Sequence, residues 1–404
     1  MQKMAPRLLL CATALVTLAG CTGSITPFAG EDTSAATAAS SPPTATSATG
    51  RVLSVQQLPF PAPPGSALPA ARQQALQDAL DRAVRDSSQL VGVTAAVVSA
   101  SGSWTGAAGI DGEGVRLVPQ AMMAIASITK TVTAAEVVFL EQSGLIDLDA
   151  PASNYLDNPL LGRNPTVRQL LSHTSGVPEY LTPALMDAAT SDPTRSWTPL
   201  EALGYATDPP GDPGSPLMDY SNFNYLLLGL LIEKITGLRY DQAVRRDLLA
   251  GDTGRMVVQD SEPPVPPLAA AGRGSEGLPD AVPDGMFVPD RSLASLAGAA
   301  GGIAADAATL AGWGYRLYGG RILPPARAVE LATEVAPDYG LGTEILEHPW
   351  GPRGGVIGHG GRINGYLTVL AVTPAEQLSV AVLGVGPGGP IGVIANELAA
   401  ALRT

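Results

Sequence analysis

Cysteine is almost missing from this 404-residue chain: Cys11 and Cys21 are the only two. Both lie at the N-terminus, so the rest of the chain has no disulfide, no cysteine metal site and no thiol nucleophile. Lysine is nearly as scarce, with Lys3, Lys130 and Lys234 against 21 arginines. The three histidines, His173, His348 and His359, are far apart and no His-Glu-x-x-His pair occurs, which argues against a zinc site. No Gly-x-Ser-x-Gly turn is present, which argues against an α/β-hydrolase nucleophile elbow. Positive charge is in deficit, with a net charge of −13. Nucleic acid is thereby excluded as a partner, because such a surface needs a clustered positive field. Long apolar runs are few. Leu8–Ala19 is too short for a stable membrane span, and Leu367–Val385 is broken by Pro374, Glu376 and Gln377 and reads as two strands.

What the N-terminus does have is a targeting pattern. Lys3 and Arg7 precede the apolar stretch, and Leu18-Ala19-Gly20-Cys21 closes it. This resembles the bacterial lipobox, which implies a signal peptide over 1–20 and lipidation of Cys21. Membrane attachment would then come from acyl chains, on the extracytoplasmic face of the bacterial cell membrane. Residues 21–66, rich in Ser, Thr, Ala and Pro, lack the large side chains needed to bury a core and read as a flexible tether.

Residues 67–404 are long enough for one large domain or two lobes. Periodicity predicts helices over Ala71–Asp86, Ser127–Gln142 with Gly144 as its cap, Phe223–Thr236 ending at Gly237, and Ile391–Leu402. Strands are predicted over Gly92–Ala100, Trp104–Ala108, Gly355–His359, Tyr366–Val372 and Leu378–Leu383. Ser261–Arg291, with seven prolines, reads as a surface excursion. The order predicts an α+β fold: an antiparallel sheet flanked by helices, a mostly helical lobe, and a site in the cleft between them.

The chemistry is concentrated at Ser127-Ile128-Thr129-Lys130. Residues three apart share a helix face, so the amine reaches the hydroxyl. A serine hydroxyl is a poor nucleophile without a base, and lysine, unlike arginine, can lose its proton when buried. Tyr220-Ser221-Asn222 and His359-Gly360-Gly361 follow along the chain. Together these segments resemble the three motifs of class C-like serine β-lactamases and D-alanyl-D-alanine carboxypeptidases, the penicillin-binding and transpeptidase-like serine hydrolases. Leu170–Gly176, Gly144–Asp149 and Tyr339-Gly340-Leu341-Gly342 support the likeness.

The resemblance implies an acyl-enzyme on Ser127, with Lys130 and Tyr220 as a coupled proton relay and the lysine cation lowering the tyrosine. Asn222 would bond the lysine and a substrate amide. The amides of Ser127 and Arg362 would form the oxyanion hole, and His359, Gly361 and Arg362 would line the substrate. A histidine at 359 is closer to the peptidases and esterases than to β-lactamases, which usually carry lysine there. Gly360 lacks the hydroxyl that often contacts a substrate carboxylate, a contact Arg362 could supply instead. His173 reads as structural, Lys234 as a solvated charge and His348 as surface. The expected substrate is a small amide or ester, or a peptidoglycan peptide, with no cofactor and no metal, acted on by a monomer. A carboxylesterase of the same fold and a penicillin-binding receptor with little turnover are the competing readings.

Overall fold

The computed structural model describes residues 59–403, apart from 180, 252–253, 260, 275–279, 283–284 and 347–354. Cys21, the signal peptide, most of the tether and His348 lie outside the described residues.

The strands are β1 (Gly92–Ser99), β2 (Gly102–Gly109), β3 (Met123–Ala124), β4 (Met256–Val258), β5 (Ile303–Ala305), β6 (Glu344–Leu346), β7 (Val356–Ile363), β8 (Tyr366–Thr373) and β9 (Leu378–Val385). The main sheet runs β2-β1-β9-β8-β7-β6, antiparallel throughout. A small second sheet has the order β3-β5-β4.

The helices are α1 (Ala70–Asp86), α2 (Thr129–Gln142), α3 (Val167–Leu171), α4 (Pro183–Ser191), α5 (Pro199–Leu203), α6 (Asn222–Thr236), α7 (Tyr240–Asp247), α8 (Arg291–Gly301), α9 (Ala307–Tyr318), α10 (Pro325–Leu331) and α11 (Ile391–Ala400).

β1 and β9 are buried at every position, as strands covered on both faces must be. On one face α1 and α11 supply Leu76, Leu80, Ile394 and Leu398 against Val93, Val97, Val380 and Val382. On the other, α9 brings Trp313 and Tyr315 against Ala96, Leu370 and Ala381. That second core continues without a break into the helical region built on α2, α6 and α8. α2 lies inside this region, which explains a helix buried from Thr129 to Val138.

Two expectations are corrected. The tether does not extend to residue 66: Phe60 is buried, its ring meets Tyr315 edge-on at 5.1 Å, and its N–H donates to the Gly319 carbonyl. Nor is 261–291 wholly an excursion. Ala269, Phe287 and Val288 are buried, and Gln259 exchanges two hydrogen bonds with the backbone of Val288. Backbone bonds from Gly112 to Ala270 and from Gly272 to Gly365 tie the segment to the body of the domain. Proline content marks non-helical chain, and burial of that chain depends on what it meets.

Candidate active site

Ser127 sits on a single 3-10 turn, Ala126–Ile128, that leads into α2. The regular helix therefore starts two residues later than the sequence predicts. Ala126, just before the serine, has a φ of +48°, a left-handed conformation that costs about 1 kcal/mol or more for a residue with a β-carbon. The surroundings hold it there. β7 packs against this turn, and a β-carbon at Gly361 would overlap the Ile125 carbonyl and the Thr368 hydroxyl. Thr368 itself donates to that same carbonyl at 3.0 Å. Gly361, expected to line the substrate, therefore lets the strand close on the nucleophile's own backbone.

Lys130 lies one turn on and is fully buried. Its Nζ is 3.1 Å from Ser127 Oγ, 2.7 Å from Asn222 Oδ1 and 2.8 Å from the Ala300 carbonyl. The Asn222 amide is oriented by Glu179, whose carboxylate accepts from both the Asn222 side-chain and backbone N–H groups. The Ala300 carbonyl is available because it lies in the last turn of α8, where carbonyls have no intrahelical partner. Burial lowers Lys130 from 10.5 to about 7, against the opposing pull of Glu179 and Glu344. A neutral amine has two hydrogens and one lone pair. The amide oxygen and the carbonyl can only accept, so they take both hydrogens. The lone pair is left for the Ser127 hydroxyl.

Tyr220 completes the group. Its hydroxyl is 3.0 Å from Ser127 Oγ, so the amine and the phenol both reach that oxygen within hydrogen-bond distance. The expectation that lysine would lower this tyrosine is reversed: burial dominates and holds the phenol well above its usual range. Tyr220 is therefore a proton donor here, and Lys130 is the group able to accept. The ring of Tyr220 stacks on His173 at 4.2 Å. His173 is itself buried, with Nδ1 accepting from the Ser221 backbone and the Asn224 side chain. Burial keeps it neutral. Its structural role, expected from the sequence, thus includes seating the phenol.

His359, expected to line the substrate, is buried. It is 1% exposed, and both ring nitrogens are engaged. Nδ1 lies 2.6 Å from the Gly360 carbonyl and therefore carries the hydrogen, while Nε2 accepts from Tyr339 at 3.0 Å. Strand alternation turns residue 359 inward, beneath the site. Asn222 does reach the lysine through Oδ1, and one of its two side-chain N–H groups is held by Glu179.

Arg362 is exposed, and its side chain faces solvent. Its backbone matters more. Among the described residues, β6 pairs with β7 over Val356–Gly358 and no strand pairs with the outer edge of β7 beyond that point. The Gly360 N–H on that edge donates to Glu344 at 2.9 Å. Alternate residues point the same way, so the Arg362 N–H faces the same open edge, beside the Ser127 turn. Two carboxylates thus border the site, Glu179 and Glu344, and neither belongs to a motif the sequence singled out.

The beta-lactamase family profile matches residues 78–403, most of the chain. The chain belongs to the beta-lactamase family. A D-stereospecific amidohydrolase from Streptomyces sp. superposes with a TM-score of 0.67 at 31% identity, over 80% of this chain and 97% of that one. The D-amino acid amidase of Ochrobactrum anthropi SV3, solved with L-phenylalanine amide, gives a TM-score of 0.70 at 23% identity, over 83% of this chain and 99% of that one, and so shares the fold. Among curated proteins, Protein flp of Staphylococcus aureus strain MW2 is 32% identical over 135 residues, 32% of this chain and 26% of that protein. The chain thus spans about a quarter of the length of the curated relatives it matches. The fold of this beta-lactamase family member is the α+β arrangement of sheet and helical region expected from the order of its elements.

Proposed function

We propose that the protein is an acyl-enzyme amidohydrolase of small amides, acting through Ser127. The observation that carries this reading is the Lys130 amine, whose two hydrogens are taken by Asn222 Oδ1 and the Ala300 carbonyl while its lone pair meets Ser127 Oγ. As Oγ attacks the substrate carbonyl, its proton passes to Lys130 Nζ. The carbonyl oxygen, now an anion, is held by the amides of Ser127 and Arg362. Collapse breaks the carbon–nitrogen bond, the Tyr220 hydroxyl protonates the leaving nitrogen, and the proton held by Lys130 passes to the Tyr220 oxygen to restore both groups. Water then attacks the ester and gives its proton to the same amine. The Streptomyces relative, by its name an amidohydrolase with D-stereospecificity, supports amides with a D-configured residue as the substrate class.

The rest of the proposal is positional: lipidation at Cys21 places a monomeric enzyme outside the cytoplasmic membrane. Incubation with a panel of D-amino acid amides, D-Ala-D-Ala peptides, penicillins and p-nitrophenyl esters, followed by intact and peptide mass spectrometry, tests the reading. An acyl adduct on the Ser127 peptide together with amide turnover is expected. Adducts without turnover would indicate a receptor, and turnover of esters alone an esterase.

A further inference from the structure

Among the described residues, the charge around the reactive atoms is one-sided. Lys130 is buried and committed to its three partners, His359 is neutral and buried, and Arg362 is exposed, where solvent screens it. Against this, Glu344 reaches from β6 across the end of the strand pairing. One of its oxygens accepts the Gly360 N–H at 2.9 Å and the other lies 3.4 Å from His359 Nδ1. Its side chain is 31% exposed, so it is held in place yet still faces the cleft. It fills the space over Gly360, where a β-carbon would lie 3.5 Å from the nearer oxygen. The Arg362 amide is two residues further along the same edge, about 7 Å at strand rise. A substrate whose carbonyl sits at that amide therefore extends one arm toward a fixed carboxylate. On the opposite flank Glu179 is anchored on Asn222, so the other arm finds negative charge as well.

We propose that Glu344 makes the site discriminate by charge: it rejects amides carrying a carboxylate next to the scissile bond and accepts those carrying a carboxamide or an ammonium group. The inference rests on the acyl-enzyme reading above and names its substrate class. Nearby like charges in a partly solvated cleft disfavour one another by a factor on the order of ten or more. The free-acid D-Ala-D-Ala terminus is then a poor substrate, and amino acid amides or amidated peptides are good ones.

The test compares N-acetyl-D-alanyl-D-alanine with N-acetyl-D-alanyl-D-alaninamide, following release of D-alanine or D-alaninamide from the same central bond. Wild-type protein should favour the carboxamide by roughly tenfold in kcat/KM. Glu344→Gln keeps an oxygen for the Gly360 N–H but no charge, and should bring the ratio close to one by improving the free acid. Glu344→Asp should keep the preference. Raising salt from 50 mM to 1 M should narrow the ratio in the wild type alone, a readout that needs no variant to fold. A wild-type preference for the free acid, or a ratio indifferent to both Glu344→Gln and salt, overturns the charge assignment. Failure of the wild type to cleave either peptide overturns instead the acyl-transfer reading beneath it.

Discussion

Replacing Lys130 by methionine should abolish hydrolysis and yet cost little stability near neutral pH. The side chain is fully buried, and burial lowers it from 10.5 to about 7. At about 1.36 kcal/mol per tenfold in acidity, that displacement is worth about 5 kcal/mol. The sign follows from which state holds the proton. A base with a lowered folded pKa binds protons more weakly in the folded state, so it destabilises the fold below pH 7. That penalty disappears as pH rises from 7 to 10.5. Methionine removes the penalty but leaves the Ala300 carbonyl and Asn222 Oδ1 without their donor, at roughly 1–3 kcal/mol each. The two effects nearly cancel at pH 6–7, and the variant should be the less stable protein near pH 10. Urea denaturation of both proteins from pH 6 to pH 10 measures this. Their stability difference should move by several kcal/mol toward the wild type as pH rises, since other titrating groups are common to both. Turnover by the variant should fall at least 10²–10⁴-fold, the usual contribution of a positioned base. A stability difference independent of pH, or turnover near the wild-type rate, would refute the account of a strained, neutral lysine serving Ser127.

Other outcomes follow from the same contacts. The kcat/KM of the wild type should rise with pH through about 7 as Lys130 loses its proton, and a flat profile from pH 5.5 to 8.5 would reject Lys130 as the base. Gly361→Ala should cost about 1–3 kcal/mol by crowding Ile125 and Thr368 and should lower kcat/KM at least tenfold by displacing Ser127, as read by thermal melts and kinetics on one preparation. Glu136 on α2 is buried with neither oxygen receiving a donor, a state resolved by a proton of its own shared with Asp247. Burial and Asp247 raise it to about 8, so this group favours the fold at low pH and withdraws that support as pH rises from about 4.5 to 8. Glu136→Gln should therefore gain stability relative to the wild type above pH 8, and denaturation at pH 9 checks it. Tyr220→Phe should fold normally and lose amide turnover more than turnover of p-nitrophenyl esters, whose leaving group needs no proton; equal losses would remove Tyr220 as the donor.

Local order is written in the chain because it depends on neighbours in sequence. The 3.6-residue spacing of α1 and the apolar stretch from Phe223 to Gly237 give helices within a residue or two of those found, and Gly237, with φ at +69°, ends α6. The strands Gly92–Ser99, Tyr366–Thr373 and Leu378–Val385 were likewise legible from their β-branched and apolar residues. Spacing alone also indicated that Ser127 and Lys130 share a face, and motif likeness gathered Tyr220, Asn222 and the 359–362 segment around them. Tertiary structure decided the rest. Glu179, Glu344 and the Ala300 carbonyl carry no local signature, because what matters is the atoms they meet across 43 or 16 residues, or 170 in the case of Ala300 and the lysine. Which way His359 faces depends on the register of β7 against β8, and which of Lys130 and Tyr220 can accept a proton depends on desolvation by side chains from elsewhere in the chain. Residue order sets which groups are present and how the backbone turns near them. Burial and charge are properties of the assembled interior, and these determine what each group does.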